Sequence, residues 1–507
     1  MSRLRRSAVA LVAIIPLLLS GCFLMGGESR TTSTPTGEKV DADLQPFYDQ
    51  VVEWESCGDD FQCATATAPL DWDDPERESI ELALIRLTTR GTPMGSLLVN
   101  PGGPGGSGVD FVRESWDYAT TAQLRDNYDL VGFDPRGVGA SSAVSCYDDP
   151  DTYTDYLYDI TPGTPGSAEW LDAMDATMAE FGADCFEFTG ELLGFVDTVS
   201  AARDLDLLRA ILGDDKLNYL GSSYGTFLGA TYADLYPQNT GRLVLDGAID
   251  PASTDFEVTA MQAQGFESAM RAYLADCLTG ADCPFTGTVE SGMKEMGAIF
   301  ARLEASPLRA EDGRLLGSQT MFTAVILPLY SADTWQYLTS LITDVKRGSA
   351  EIAFSLADLY NGREPDGTFA DNSSEAFTAI NCLDYPSTST RETLPAEAAE
   401  LAALAPVFGP QMSWGGTSCD AWPFEATRVR GPIAADGSAP ILVVGTTNDP
   451  ATPYAWSVAL ADQLQNGHLV SYDGEGHTAY NKSNQCIDDT VDAFFIDGTV
   501  PATDPLC

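Results

Sequence analysis

The segment Gly221-Ser222-Ser223-Tyr224-Gly225 fits the GxSxG spacing, in which flanking glycines permit a sharp strand-to-helix turn that exposes a serine hydroxyl. Such a hydroxyl is a weak nucleophile until a base takes its proton. Only two histidines are available, His468 and His477. His468 opens an apolar run, which suits a strand-edge residue, whereas His477 sits in Asp473-Gly474-Glu475-Gly476-His477-Thr478, a glycine-rich loop directly after that run. A base there reaches a serine presented at the end of a neighbouring strand. The acid that orients the imidazole should follow the preceding apolar run, and Gly445-Thr446-Thr447-Asn448-Asp449-Pro450 offers Asp449. The chemistry of Ser223, Asp449 and His477 together is nucleophilic acyl transfer. An aspartate before proline also makes an ordinary turn, and Ser222 is the neighbour on the other register.

The oxyanion formed on an attacked carbonyl needs preorganised donors. The backbone N–H of Tyr224, next after the nucleophile, is one expected donor. The second should come from the glycine-rich loop Asn100 to Gly108, where Gly102 and Gly103 let the backbone approach a substrate closely. That loop lacks the Gly-Lys-Ser/Thr ending of a phosphate-binding loop, and nothing in the chain calls for a cofactor.

These residues need elements to position them. Ser96 to Val99, Tyr128 to Phe133, Lys216 to Leu220, Arg242 to Leu245, Pro440 to Val444 and His468 to Tyr472 are short apolar runs of the kind buried in a parallel sheet. Val199 to Leu212 and Thr226 to Leu235 carry helical spacing. Strand and helix in alternation predict an α/β doubly wound sheet. Between 251 and 427 the pattern changes to long amphipathic stretches, read as a mainly helical cap inserted between core parts 46–250 and 428–507. It should cover the carboxyl ends of the strands, where ligands bind in open α/β folds.

The first residues read as an export signal, with Arg3, Arg5 and Arg6 ahead of the apolar stretch Ala8 to Leu19. The stretch ends at Leu19-Ser20-Gly21-Cys22, similar to a lipobox, so residues 1–21 are expected to be removed and Cys22 to carry lipid. An ordinary secretory signal beside a chance cysteine is the alternative. Residues 22–45, rich in Gly, Ser, Thr and Pro up to Glu38, read as a flexible tether. Setting Cys22 aside, the eleven cysteines leave ten, enough for five disulfides in an oxidising compartment. Nearest-neighbour pairing gives Cys57 with Cys63, Cys146 with Cys185, Cys277 with Cys283, Cys382 with Cys419, and Cys486 with Cys507. Two histidines and no paired CxxC argue against zinc. Acidic residues number 75 against 27 basic, a formal charge of −48, which argues against nucleic acid as a partner.

The segments NPGGPGGSG, DPRGVGAS, GSSYGT, VLDGAIDP, NCLDYP and the block from Pro440 to Tyr480 resemble the tripeptidyl-aminopeptidase branch of the proline-iminopeptidase family. The resemblance implies an α/β-hydrolase with Ser223, Asp449 and His477 as its triad and Gly102 at the oxyanion loop. It also implies release of short peptides from a free N-terminus. Cap carboxylates then hold the substrate ammonium, because a buried cation requires a paired anion. Asp384 in NCLDYP is the candidate, beside the reading that it is one more solvated carboxylate. Peptides are the expected partners, and the membrane through the lipid on Cys22. An esterase on the same triad and a non-catalytic binding lipoprotein are the competing functions.

Overall fold

Strand residues of alternating facing are apolar on both sides of the sheet, which forces the chain to cover both. The computed structural model describes residues 31–426 and 428–507. The sheet strands are β1 (Glu55–Ser56), β2 (Phe61–Pro69), β3 (Ser79–Leu87), β4 (Ser96–Asn100), β5 (Asp129–Phe133), β6 (Leu217–Ser222), β7 (Thr240–Asp246), β8 (Ile441–Asn448) and β9 (Gly467–Glu475). They form one nine-stranded sheet in the order β1-β2-β3-β5-β4-β6-β7-β8-β9. From β5 to β9 all neighbours are parallel, and β1 to β3 add an antiparallel edge.

Alternation along the strands divides the core. Leu98, Tyr219, Leu243, Leu245, Ile441 and Val443 pack on one face with the helices Thr198–Leu212 and Tyr224–Leu235. Leu97, Val99, Leu220, Val244, Leu442 and Val444 pack on the other with the helices Gly108–Ala119 and Gln485–Asp497. Helices on both faces of a mostly parallel sheet are the expected α/β doubly wound class.

The inserted region is helical, as expected, from Asp255–Cys277 through Leu394–Leu404, apart from a short hairpin pairing Leu308–Arg309 with Leu315–Leu316. Most of it shares a second core built on residues such as Met270, Phe300, Leu341 and Phe408, whereas the helix Ser373–Asp384 packs Ala376, Ile380 and Leu383 into the sheet cluster. Two further helices, Pro150–Tyr158 and Ala168–Thr189, leave the sheet after β5; the first reaches this layer, while the second packs Phe181 and Cys185 with the cluster on the first face of the sheet. Tyr158 belongs to the cap cluster, and the Tyr153 and Phe369 rings lie 4.4 Å apart. The helical layer therefore extends beyond the expected 251–427.

Residues 31–45, expected to belong to a flexible tether spanning 22–45, are instead held against the core. Ser33 N–H donates to Val52 O and Thr36 N–H to Ala210 O, both at 2.9 Å, and Glu38 pairs with buried Arg209 at 2.7 Å. Backbone bonds of this kind do not depend on side-chain type, so a Ser/Thr/Pro-rich composition did not reveal them. The segment from residue 31 is docked on the core, while residues 1–30, including Cys22, lie outside the described residues. All five disulfides join the nearest-neighbour pairs.

Candidate active site

β6 ends at Ser222, and Ser223 follows at φ 55°, ψ −124° before the helix Tyr224–Leu235 begins. This is a sparsely populated conformation for a residue with a Cβ, held by its surroundings. Ser223 N–H donates to Asp246 O at 2.9 Å. The flanking glycines are required by contact: a Cβ on Gly221 would lie 2.3 Å from Gly225 O, and one on Gly225 would lie 2.8 Å from Asn100 Oδ1.

After β8, Asp449 is buried and its carboxylate is fully used. Oδ1 accepts from Ala451 N–H and Thr452 N–H at 2.9 Å each, and Oδ2 accepts from the Thr452 hydroxyl at 2.9 Å and Thr478 N–H at 3.2 Å. His477, in the loop after β9, places Nδ1 2.9 Å from Asp449 Oδ1 and 3.0 Å from Oδ2. That bond selects the tautomer with its proton on Nδ1 and leaves Nε2 as the acceptor. Asp246 and Gly247 separate the base loop from the serine turn, and a Cβ on Gly247 would stand 3.4 Å from His477 Cε1. No direct hydrogen bond joins Ser223 to His477 among the described residues, a spacing common in ligand-free hydrolases. His468 lies in β9, paired with Leu442, as expected for a strand residue.

Gly102 (φ 101°) packs against the serine turn so closely that a Cβ would meet Ser222 O at 2.6 Å and Ser223 Cβ at 2.8 Å. Its N–H is already donated to Asn100 Oδ1 at 3.0 Å. Gly102 is thus a spacer, a correction to its expected donor role. Tyr224 N–H, at the first position of its helix, and Gly103 N–H have no other acceptor among the described residues, which suits both for an oxyanion.

Beyond these donors lies a cavity of about 300 Å³ bounded by Gly103, Pro104 and Tyr224 at one side and by Asp255 and Glu397 among the cap residues. Ile249, Phe377 and Met412 supply apolar wall. Burial, with Glu397 beside it, pushes the Asp255 carboxyl up to about 6.

Asp384 is not among the residues that line this cavity. It is 1 % exposed, and its two oxygens accept from Thr198 N–H and the Thr198 hydroxyl, whose oxygen lies 2.6 Å from the Tyr224 hydroxyl. Burial is the main reason its carboxyl is pushed up to about 6, against the pull of Arg428. The expectation that Asp384 meets a substrate amine is corrected: its carboxylate is bound to Thr198, the first residue of the helix Thr198–Leu212, whose N-cap is Asp197. Asp255 and Glu397 were not singled out in the sequence, where two acidic residues among 75 carry no distinguishing mark. No cluster of three metal-binding side chains occurs among the described residues.

A serine at a strained strand-to-helix turn, an imidazole held by a buried aspartate and two unclaimed N–H groups define an α/β-hydrolase. Residues 95–314 match the family described as alpha/beta hydrolase fold, and residues 405–507 the family described as TAP-like protein. The chain is 35% identical to the serine protease Hip1 of Mycobacterium tuberculosis, over 98% of this chain and 96% of that protein. It is 37% identical to carboxylesterase B of the same species, over 88% and 86% respectively. The tripeptidyl aminopeptidase of Streptomyces lividans is 29% identical over 90% of this chain and 86% of its own. This chain belongs to the TAP-like family of α/β-hydrolase serine peptidases.

Proposed function

We propose that the protein is an exported, lipid-anchored exopeptidase that releases short peptides, tripeptides foremost, from the free N-terminus of peptide substrates. His477 Nε2 takes the proton of Ser223 as its Oγ attacks the scissile carbonyl, and Asp449 stabilises the imidazolium that forms. Tyr224 and Gly103 N–H groups receive the oxyanion. His477 then returns the proton to the departing amine, leaving an acyl-enzyme that water hydrolyses by the same steps.

The observation that carries the exopeptidase reading is the placement of Asp255 and Glu397 on the cavity that begins at Gly103 and Tyr224. Two carboxylates at a partly buried site suit an α-ammonium, which must be paired to leave water. The relative named tripeptidyl aminopeptidase supports the same assignment. Cleavage of a tripeptide anilide is compared with that of its N-acetylated form, with a small acyl ester as a control for an intact site. Loss of the ammonium leaves the carboxylates unpaired, and the acetylated substrate should react about 10²-fold more slowly. Equal rates would remove the exopeptidase reading and leave the serine hydrolase.

An esterase is the second reading, favoured by the relative named carboxylesterase B and by the apolar wall of Ile249, Phe377 and Met412. Turnover of the ester alone would select it.

A further inference from the structure

Four consecutive backbone N–H groups, from His477 to Tyr480, are claimed by acceptors from three distant stretches of chain. His477 N–H donates to Tyr330 O at 2.8 Å and Thr478 N–H to Asp449 Oδ2 at 3.2 Å. Ala479 N–H lies 3.0 Å from both oxygens of Asp246, and Tyr480 N–H donates to Asp246 Oδ2 at 2.9 Å. Asp246 is 2 % exposed at the end of β7. Its own carbonyl is the acceptor of Ser223 N–H. One residue therefore grips the serine turn with its main chain and the base loop with its side chain.

We infer that Asp246 is a positioning residue for acyl transfer, which fixes the base loop relative to the serine turn and holds a second carboxylate on that loop, two residues beyond His477. The inference rests on the triad proposed above and not on the choice between peptide and ester. The imidazole meets Asp449 and the Thr452 hydroxyl at Nδ1, 2.9 Å and 3.2 Å away, and the Tyr330 ring at 5.4 Å, while the Asp246 carboxylate is held two residues on by Ala479 N–H. The groups that face Asp246 are Lys482, His477 and the two N–H groups. Burial pushes the Asp246 carboxyl up, while Lys482, the N–H donors and His477 pull it back towards the charged form.

The charge has a direction of effect. As Ser223 attacks, the imidazole becomes positive, and a nearby buried carboxylate stabilises that form. Lys482, whose ammonium donates to the Thr478 hydroxyl, opposes it. An amide in place of the carboxylate removes the negative charge; with its oxygen at the Oδ2 position it still accepts from Ala479 and Tyr480 N–H, while its NH2 end replaces the Oδ1 acceptor of Ala479 N–H with a donor. The main-chain bond to Ser223 remains.

The test uses the full chain, with rates normalised to sites titrated by a fluorophosphonate and Ser223→Ala as the control for the triad. In Asp246→Asn, kcat on both a peptide anilide and a small ester should fall about 10²-fold with KM within about twofold. The acid limb of its pH profile should move to lower pH by about half a unit or more, because an imidazole that has lost a nearby anion deprotonates more readily. Lys482→Met should move the same limb upward, since it removes the opposing cation. An unmoved acid limb in folded Asp246→Asn, or in Lys482→Met should the former fail to fold, overturns the inference whatever happens to melting temperature. Full activity in Ser223→Ala would overturn the triad itself, and so would be recognised as a different failure.

Discussion

The carbonyl of Tyr330, in the cap, accepts the backbone N–H of His477 at 2.8 Å, and the two rings lie 5.4 Å apart. The cap is therefore part of the mount of the base as well as the wall of the cavity. Tyr330→Ala removes the ring that backs the imidazole, and kcat is expected to fall about tenfold or more from displacement of the base. Tyr330→Phe keeps the ring and should stay within about threefold of the parent. Equal rates for the two variants, measured per titrated site, would show that the ring does not hold the imidazole.

Ser223→Ala should abolish turnover, by about 10⁴-fold or more, while the protein still melts as the parent does. The change removes a hydroxyl at a turn and opens no core cavity. Ser222→Ala, one residue earlier at the end of β6, should be mild. If Ser222→Ala is the inactive variant, the register of the turn is wrong.

How far the sequence reveals such a site depends on whether the signal is local. The runs that became β4 to β9 were legible because parallel strands are buried on both faces and read as continuous apolar stretches. The pairing of His477 with Asp449 was legible because only two histidines were available to choose from. The helix Ala168–Thr189 was not, since the partners of its apolar residues lie far along the chain: Phe181 stacks on Tyr156 and meets Trp422, and Cys185 is bonded to Cys146. Asp384 drew attention through its motif, yet Cys382 two residues earlier serves the disulfide to Cys419 and Asp384 serves Thr198. A recurring motif there reflects architecture. Asp246 stood in VLDGAIDP at the end of an apolar strand, and an acid in that position is the one signal that was available for it.

The motif DPRGVGAS has a structural explanation that sets a stability prediction. Arg136 is fully buried and all five of its N–H donors are used, two on Asp204 at 2.7 Å each and three on the carbonyls of Leu70, Phe195 and Pro69. Removing one partner of a buried pair leaves an uncompensated charge and costs about 3–5 kcal/mol. Arg136→Ala should lower the thermal midpoint by several degrees, and Arg136→Lys should not restore it, because an ammonium cannot reach the same acceptors. A Lys variant that melts with the parent would refute this account.

Cys22→Ala should release the protein into the soluble fraction without loss of activity per molecule. Among the described residues no helix is long and apolar enough to cross a membrane. The docked segment that begins at Thr31 would keep the core intact once the anchor is lost. Fractionation of cells expressing the variant, with its signal removed, checks this. Membrane retention equal to that of the parent would reject the lipid anchor.

The carboxylates on the cavity predict a pH dependence specific to peptides. Burial and the neighbouring Glu397 push Asp255 up to about 6, so its charge is present above that pH and lost as pH falls through it. A peptide α-amino group loses its own charge near about pH 8. Pairing between the two is strongest between these limits, and KM for a free tripeptide anilide should rise as pH drops from about 7 to 5. The KM of a small neutral ester, which has no ammonium to pair, should stay flat over the same range. Asp255→Asn should abolish the rise, raise KM for the free peptide at pH 7 by about tenfold or more, and bring the acetylated and free peptides closer together. Asp384→Asn, by contrast, should leave that ratio as it is, because its carboxylate is spent on Thr198. A free-peptide KM that is level from pH 5 to 7 in the parent, or a ratio that collapses in Asp384→Asn and not in Asp255→Asn, would return the amine to the other carboxylate.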